Sequence, residues 1–373
     1  MSDPADPART LRTAVERGAV PGVVAIAGDR AGVIYEGAFG LAETAVKRPM
    51  TADAIFDIAS MTKAVTSVAA LQLIEQGRLA LDDPAAQYLP ELAAPMVLEA
   101  GGELRPAASP ITIRHLFTHT SGFGYAFTSE RLRQLRRKEG EPEPLLFEPG
   151  TQWLYGTSTD WLGRIVAALA GRDLETLFRE KIFGPLGMDD TFYNVPAAKH
   201  PRIVNFHRRR ADGTLAEQTR YAPQAKVRLR GGGGLSSTAR DYLRFLRMLL
   251  NGGELDGARI LTPASVALMG QNHIGAVNLR SLRSADEAVS GNFTFIGDDC
   301  DKFGLGFQIT TQGLPGLRSA GSLSWGGLFN TYFWLDPARG VAGVILLQYL
   351  PFSDPEALAL YTDFEREVYR MIK

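Results

Sequence analysis

A serine and a lysine stand three residues apart in the segment Ser60-Met61-Thr62-Lys63. Residues three apart share one face of a helix, and the residues that follow, up to Gln76, are apolar with helical spacing. The Lys63 amine can therefore stand beside the Ser60 hydroxyl, as a serine nucleophile with its own base requires. Taken alone, Ser60 also fits a helix cap, and Lys63 also fits a solvated helix residue. The apolar run from Ala64 to Ile74 favours a lysine that faces a core or a cleft.

Two later segments bring further chemistry. The run from Phe147 to Gly156 predicts a turn and then a short aromatic stretch, which delivers Tyr155 just before a helix that begins near Ser158 or Thr159. In the run from Ala320 to Leu328, two glycines follow Trp325, so that a ligand can approach the backbone closely. On these residues alone, Tyr155 also fits a core aromatic with a satisfied hydroxyl, and Trp325 also fits simple packing.

Composition narrows the class of protein. With 373 residues, 45% of them hydrophobic, the chain can bury a full core in one large or two ordinary domains. A formal net charge of -1 predicts no nucleic-acid or membrane partner and favours a small neutral or mixed ligand. One cysteine, Cys300, and an N-terminus without a signal-like apolar stretch predict a cytoplasmic protein. The five histidines are not spaced as metal ligands, so we expect neither a metal nor another cofactor.

The elements that would position these residues alternate between strand and helix patterns. Helices are predicted at 8–17, from Ser60 to a stop at Gly77, and at 160–170, 174–183 and 355–372. Strands are predicted at 22–27, 33–37, 306–311, 331–335 and 341–347, the first two forming a hairpin. Strands at both ends of the chain predict an α+β fold, with an antiparallel sheet flanked by helices and an inserted, mostly helical lobe. We therefore expect one domain of residues 1–75 and 222–373 and a helical domain of residues 76–221.

These three segments, in this order, resemble the serine β-lactamase and penicillin-binding protein superfamily, whose motifs include S-x-x-K and K-T-G. The chain is most similar to the family VIII carboxylesterases, which look like class C β-lactamases and carry W-G-G in place of K-T-G. The W-G-G here is Trp325-Gly326-Gly327. Further landmarks of the resemblance are the runs 116–122, 185–188 and 231–235, so that it covers nearly the whole chain.

The resemblance implies a catalytic set of Ser60, Lys63 and Tyr155, in which Lys63 and Tyr155 relay the proton of the attacking serine. It also implies an oxyanion hole built from the backbone N–H groups of Ser60 and Leu328. A serine at a helix N-terminus supports this hole independently, because unpaired amides gather there. For the substrate pocket we predict the W-G-G residues and a set of neighbours in the sequence, namely Trp325, Gly326, Gly327, Phe123, Tyr125, Trp153, Thr157 and Phe329.

Two positions depart from the β-lactamase pattern. The asparagine of its Y-x-N motif corresponds to Thr157, and the lysine of K-T-G corresponds to Trp325. Replacing an ammonium by an indole removes a charge-assisted contact with a substrate carboxylate and adds an apolar wall. Anionic β-lactams should therefore be poor substrates, and uncharged esters with an apolar part should be better ones.

Other motifs favour structural interpretations. His119 could suggest a Ser-His-Asp triad, but S-x-x-K chemistry needs no imidazole, so we interpret it as a structural loop residue. The run Gly231 to Gly234 lacks the G-K-[ST] ending of a phosphate-binding loop and predicts a tight structural turn. No serine lies in G-x-S-x-G, which disfavours an α/β-hydrolase.

The sequence thus predicts a serine carboxylesterase that acts on short to medium acyl esters through a Ser60 acyl-enzyme. Acyltransferase, amidase or D-aminopeptidase activity of the same superfamily is a second possibility, and a catalytically inert binder of the same fold is a third. The expected partner is a small-molecule ester, and the expected state is a monomer or homodimer.

Overall fold

The structure is a computed structural model that describes residues 5–135, 143–218, 229–292 and 300–372. Within these residues the helices are α1 (Pro7–Glu16), α2 (Thr62–Glu75), α3 (Ile113–Thr118), α4 (Glu130–Gln134), α5 (Ser158–Ala170), α6 (Leu174–Phe178), α7 (Gly184–Leu186), α8 (Ala239–Leu250), α9 (Pro263–Met269) and α10 (Pro355–Met371). The strands are β1 (Gly22–Asp29), β2 (Val33–Glu43), β3 (Arg48–Pro49), β4 (Phe56–Ala59), β5 (Met96–Leu98), β6 (Leu104–Pro106), β7 (His207–Arg209), β8 (Leu215–Glu217), β9 (Leu235–Ser237), β10 (Glu254–Leu255), β11 (Ala258–Arg259), β12 (Lys302–Phe303), β13 (Gln308–Ile309), β14 (Leu323–Gly327), β15 (Thr331–Asp336), β16 (Val341–Leu346) and β17 (Tyr349–Leu350).

An eight-stranded sheet forms the centre of the fold. Its strand order is β12, β13, β14, β15, β16, β1, β2, β3, and each neighbouring pair is antiparallel. Strands from the two ends of the chain meet where β1 pairs with β16, with Val24 opposite Leu346. The predicted antiparallel sheet shared by the first and last parts of the chain is therefore confirmed.

Helices cover both faces of this sheet. Successive side chains of a strand point to opposite faces, and β1 accordingly sends Val24 and Ile26 into one core and Val23 and Ala25 into the other. The first core includes residues of α2 and α8, while the second includes residues of α1 and α10. Helix α2 is apolar around most of its circumference, as expected of a helix buried on all sides.

The predicted elements lie close to the observed ones, with several differences. The strand predicted at 306–311 is shortened to β13, and the strand predicted at 33–37 extends to Glu43 as β2. Helix α2 ends where expected, since Gly77 follows it with φ +67°. The helix predicted at 174–183 is divided into α6 and a π-helical turn, Arg179–Phe183. The helix predicted to include Ser60 begins only at Thr62. The division into domains at residues 75 and 222 stays a prediction.

Across the described ranges, no helix is long and apolar enough to cross a membrane. Among those same residues, no group of three or more His, Cys, Asp or Glu side chains is arranged to hold a metal ion.

Candidate active site

Ser60 lies in the turn between β4 and α2. The residue before it, Ala59, has φ +44°, a left-handed conformation that costs energy in a residue with a Cβ atom. The Thr62 hydroxyl stabilises this turn by donating to the Ala59 carbonyl over 2.6 Å. The prediction that Ser60 lies within the helix is wrong, because the helix begins at Thr62, although the Ser60 carbonyl still accepts the Lys63 N–H over 3.1 Å. The helix-cap alternative is also wrong, since the N-cap is Met61 and has no side-chain cap hydrogen bond.

Lys63 is buried in the first turn of α2 and contacts the serine. Its side chain is 1% exposed, and its Nζ donates to Ser60 Oγ over 3.0 Å. The same Nζ donates to the Tyr125 hydroxyl over 3.2 Å and to the Gly232 carbonyl over 2.6 Å. Because a carbonyl can only accept, the Gly232 contact fixes the nitrogen in place, whereas a hydroxyl can accept from an amine or donate to it.

Tyr155 also contacts the serine. Its hydroxyl donates to Ser60 Oγ over 2.5 Å, and its ring lies under the Lys63 amine, with Nζ 4.7 Å from the ring centroid. The next residue, Gly156, packs so tightly that a Cβ atom there would lie 2.1 Å from the Phe123 carbonyl oxygen. A glycine at this position therefore lets the segment bring the phenol to the serine. The structure brings together the amine, the phenol and the alcohol that the sequence analysis selected.

Tyr125 is a second phenol in contact with the amine, although the sequence analysis placed it only in the substrate pocket. Burial raises the pKa of the Tyr125 phenol well above its ordinary value, and the neighbouring Tyr155 raises it further. Tyr125 therefore keeps its proton at neutral pH and acts as a neutral hydrogen-bond partner of Lys63. Its ring also packs against Tyr155, with centroids 5.1 Å apart.

His119 lies behind Tyr155 and is 1% exposed. Burial holds the pKa of His119 well below its ordinary value, and the Lys63 charge lowers it further, so the imidazole is neutral. Its Nδ1 accepts the Gly156 N–H over 3.4 Å, which assigns the proton to Nε2. The ring also packs edge-on against Tyr155, with centroids 5.0 Å apart. These contacts agree with the structural interpretation of His119.

The glycine-rich loop supplies the carbonyl that holds Lys63. At Gly231, a Cβ atom would lie 2.4 Å from the Thr159 carbonyl oxygen at the start of α5. The N–H of Gly232 donates to Asp160 Oδ1 over 2.8 Å, which orients the Gly232 carbonyl toward the amine. The predicted tight turn thus has a function in the site that the sequence analysis missed, namely to anchor Lys63.

Strand β14 forms another wall of the site. A Cβ atom at Gly327 would lie 2.2 Å from the Ile58 carbonyl oxygen, so only glycine lets this strand pass so close to β4. The approach brings the residue after the strand to the serine. A narrow, partly open cavity of about 20 Å³ results, lined by Ser60, Phe127, Tyr155, Trp325, Gly326, Leu328 and Phe352. Phe127 and Phe352 were missed by the sequence analysis, and for Phe352 no local pattern signals a position beside Ser60.

The remaining predicted pocket residues lie at different depths. Phe123 is 1% exposed and stacks on Trp161 in the core. Trp153 packs against His119 and Trp325 behind the cavity wall, and Phe329 packs against Phe206. The hydroxyl of Thr157 donates to Glu143 Oε2 over 2.8 Å. Contact of these four residues with substrate stays a prediction.

Trp325 both packs in the protein interior and lines the cavity. It lines the cavity, yet it is only 6% exposed. Its indole packs against an aromatic group made up of His119, Trp153, Tyr155 and Phe303. Trp325 is therefore a packing residue with one edge available to a ligand, and the wall it forms is apolar.

Comparison with known proteins assigns this fold to a family. Over residues 8–365 the chain matches the Beta-lactamase family, and it belongs to that family.

Similar proteins include enzymes of two activities. The chain is 35% identical over 353 residues to acyltransferase calJ of Penicillium decumbens, a match that covers 87% of this chain and 83% of that protein. It is 32% identical over 393 residues to the lovastatin esterase of Penicillium rubens (strain ATCC 28089 / DSM 1075 / NRRL 1951 / Wisconsin 54-1255), covering 97% of each. The structure of simvastatin synthase (LovD) from Aspergillus terreus, LovD9 mutant, is similar with a TM-score of 0.82 and 29% identity, covering 98% of this chain and 99% of that one.

Proposed function

We propose that this protein is a serine carboxylesterase of the family VIII type, which hydrolyses short to medium acyl esters through an acyl-enzyme on Ser60. One observation carries the proposal. Ser60 Oγ lies 3.0 Å from Lys63 Nζ and 2.5 Å from the Tyr155 hydroxyl at the wall of a cavity lined mainly by apolar side chains. A weak nucleophile with a base in hydrogen-bond range and a pocket for an apolar group is what ester hydrolysis requires.

The reaction begins when Ser60 Oγ attacks the ester carbonyl carbon and its proton passes to Lys63. Negative charge forms on the carbonyl oxygen, and the backbone N–H groups of Ser60 and Leu328 would stabilise it. Tyr155 then donates a proton to the departing alkoxide and is reprotonated from Lys63. Water attacks the acyl-enzyme, with the same groups accepting its proton and returning one to Ser60 Oγ.

Acyl transfer to an alcohol is the second candidate, because the similar proteins include an enzyme named as an acyltransferase as well as an esterase. Both reactions share the acyl-enzyme and differ only in the acceptor that attacks it. The cavity walls do not distinguish water from a small alcohol. Product analysis of a p-nitrophenyl ester reaction, with and without added alcohol, would separate them: a transferase yields the new ester in preference to the free acid.

This site is not expected to hydrolyse β-lactams rapidly. An indole occupies the position at which the β-lactamase pattern has an ammonium, and the Thr157 hydroxyl is engaged with Glu143. Turnover of a chromogenic cephalosporin as fast as that of the esters would show that the interpretation of these two positions is wrong.

Ser60→Ala tests the central step. The wild-type protein should gain one adduct mass on treatment with a fluorophosphonate and should hydrolyse p-nitrophenyl butyrate. Ser60→Ala should do neither. A wild-type protein that gains no adduct would instead favour an inert binder, and full activity in Ser60→Ala would exclude Ser60 as the nucleophile.

A further inference from the structure

The turn between β14 and β15 contains a buried asparagine in an unusual conformation. Asn330 has φ +61° and is 0% exposed. Asparagine tolerates the left-handed region better than most residues, so the residue type fits the turn. Only two residues separate Asn330 from Gly327, the glycine that brings this strand to the serine.

The carboxamide of Asn330 makes four hydrogen bonds. Its Nδ2 donates to the Tyr349 carbonyl over 2.9 Å and to the Pro351 carbonyl over 2.8 Å. Its Oδ1 accepts from the Tyr332 hydroxyl over 2.9 Å and from the Asp354 N–H over 3.3 Å. A carboxamide has two N–H donors and two lone pairs on its oxygen, so the full capacity of the group is used. Such a fully satisfied buried group holds its partners rigidly.

These hydrogen bonds join two walls of the cavity beside Ser60. Leu328, in the turn of Asn330, lines the cavity on one side. Phe352 lines it from a different segment and directly follows Pro351, one of the two residues whose carbonyls Asn330 holds. The Phe329 carbonyl also accepts the Tyr349 N–H over 3.4 Å. The turn and the 349–354 segment are therefore fastened together beside Ser60, at the cavity that part of an ester would enter.

The space between these two walls is narrow. Its volume of about 20 Å³ is close to what one water molecule needs. A short acyl group disturbs the walls least, and a longer chain requires Leu328 and Phe352 to separate.

We propose that Asn330 is a positioning residue that fixes the distance between Leu328 and Phe352 and thereby limits the enzyme to short acyl chains. This role rests on the proposed function of Ser60 as the nucleophile. Loss of the carboxamide donors should release the Phe352 wall and also loosen the end of β14. Selectivity for short chains should fall, and turnover of the preferred substrate should fall with it.

Asn330→Asp tests this role, because aspartate has the same size but would place an acceptor against the carbonyls of Tyr349 and Pro351. We expect the ratio of kcat/KM for p-nitrophenyl butyrate to that for the octanoate to fall about tenfold, a typical consequence of altering an apolar pocket. We expect kcat for the butyrate to fall about tenfold or more, since small misplacements in a site are costly. If Asn330→Asp does not fold, Asn330→Gly accepts the left-handed φ without strain, removes the same donors and should shift the ratio in the same direction.

Two further variants separate positioning from general loosening. Phe352→Ala removes the wall directly, so adding Asn330→Asp to it should change the ratio no further, although kcat should still fall. Glu365→Gln is the matched control, because it is an equally conservative change in another buried network, where Glu365 accepts from Arg318 over 2.9 and 2.6 Å. It should lower the melting temperature and leave the ratio unchanged.

The outcomes distinguish this role from the proposed function itself. A folded Asn330 variant with the wild-type ratio of kcat/KM for butyrate to octanoate would overturn the positioning role. The same change of this ratio in Glu365→Gln would also overturn it. A wild-type protein that neither hydrolyses the esters nor reacts with a fluorophosphonate would overturn the function of Ser60, whatever Asn330 does.

Discussion

Tyr155→Phe removes one hydroxyl from the site and little else. The ring would keep its packing against His119 and Trp325, whose ring centroids each lie 5.0 Å from that of Tyr155. The lost contact is the 2.5 Å hydrogen bond to Ser60 Oγ. A single hydrogen bond contributes about 0.5–1.5 kcal/mol to folding, against about 5–15 kcal/mol for a whole domain. We therefore expect Tyr155→Phe to fold with nearly the wild-type melting temperature.

The kinetic effect should be much larger and should depend on the leaving group. General acid catalysis contributes about 10²- to 10⁴-fold, which corresponds to about 2.7–5.4 kcal/mol of the barrier. An ethoxide leaving group needs the proton of Tyr155, whereas p-nitrophenolate leaves without one. We expect kcat/KM of Tyr155→Phe to fall by that full factor for ethyl butyrate, measured by titration of the released acid, and by less for p-nitrophenyl butyrate.

Tyr125→Phe is the matched control. It also removes a phenol hydroxyl from the site, the one that accepts from Lys63 over 3.2 Å. Because this hydroxyl contacts the base and is not assigned to the leaving group, any loss should be equal for the two esters. If Tyr155→Phe lost kcat/KM equally for the two esters, Tyr155 would not be the acid for the leaving group. If Tyr155→Phe hydrolysed ethyl butyrate as fast as the wild-type protein, Tyr155 would take no part in the reaction.

Three further predictions concern the groups around the catalytic set. His119→Asn keeps an acceptor for Gly156 and tolerates φ +58°, but does not titrate. His119 stays neutral in the folded protein, whereas an unfolded histidine binds a proton below about pH 6.5. Below that pH, the free energy of unfolding of the wild-type protein should therefore fall by up to about 1.4 kcal/mol per pH unit. Urea unfolding at pH 7 and pH 5 should show a smaller fall in His119→Asn, and an unchanged fall would contradict the assignment. Gly231→Ala should lose about 1–3 kcal/mol of stability in thermal unfolding, together with esterase activity, because its Cβ would lie 2.4 Å from the Thr159 carbonyl oxygen. Trp325→Lys should lose about 3–5 kcal/mol of stability and should lose ester turnover, because the new amine would replace a buried indole among aromatic rings. This variant should not gain rapid hydrolysis of a chromogenic cephalosporin.

Features that depend on neighbouring residues could be predicted from the sequence. Two strand-like runs joined by a turn between Gly28 and Gly32 indicated the hairpin of β1 and β2, and the glycine at position 77 indicated the end of α2. The spacing of Ser60 and Lys63 indicated that the amine would reach the hydroxyl, and it does so although Ser60 lies outside the helix. Local spacing therefore brought the two groups together, whereas the residue at which the helix begins could not be predicted from it.

Contacts between distant segments could not be predicted in this way. Lys63 meets Tyr125 and Gly232, which lie 62 and 169 residues away along the chain. The sequence pointed to Tyr155 only through resemblance to known enzymes, and nothing in it placed Phe352 in the cavity. The sequence by itself determined which chemical groups are available and the elements that carry most of them. Only the tertiary structure decided which groups converge on Ser60, because convergence depends on how helices and strands from distant parts of the chain pack around the sheet.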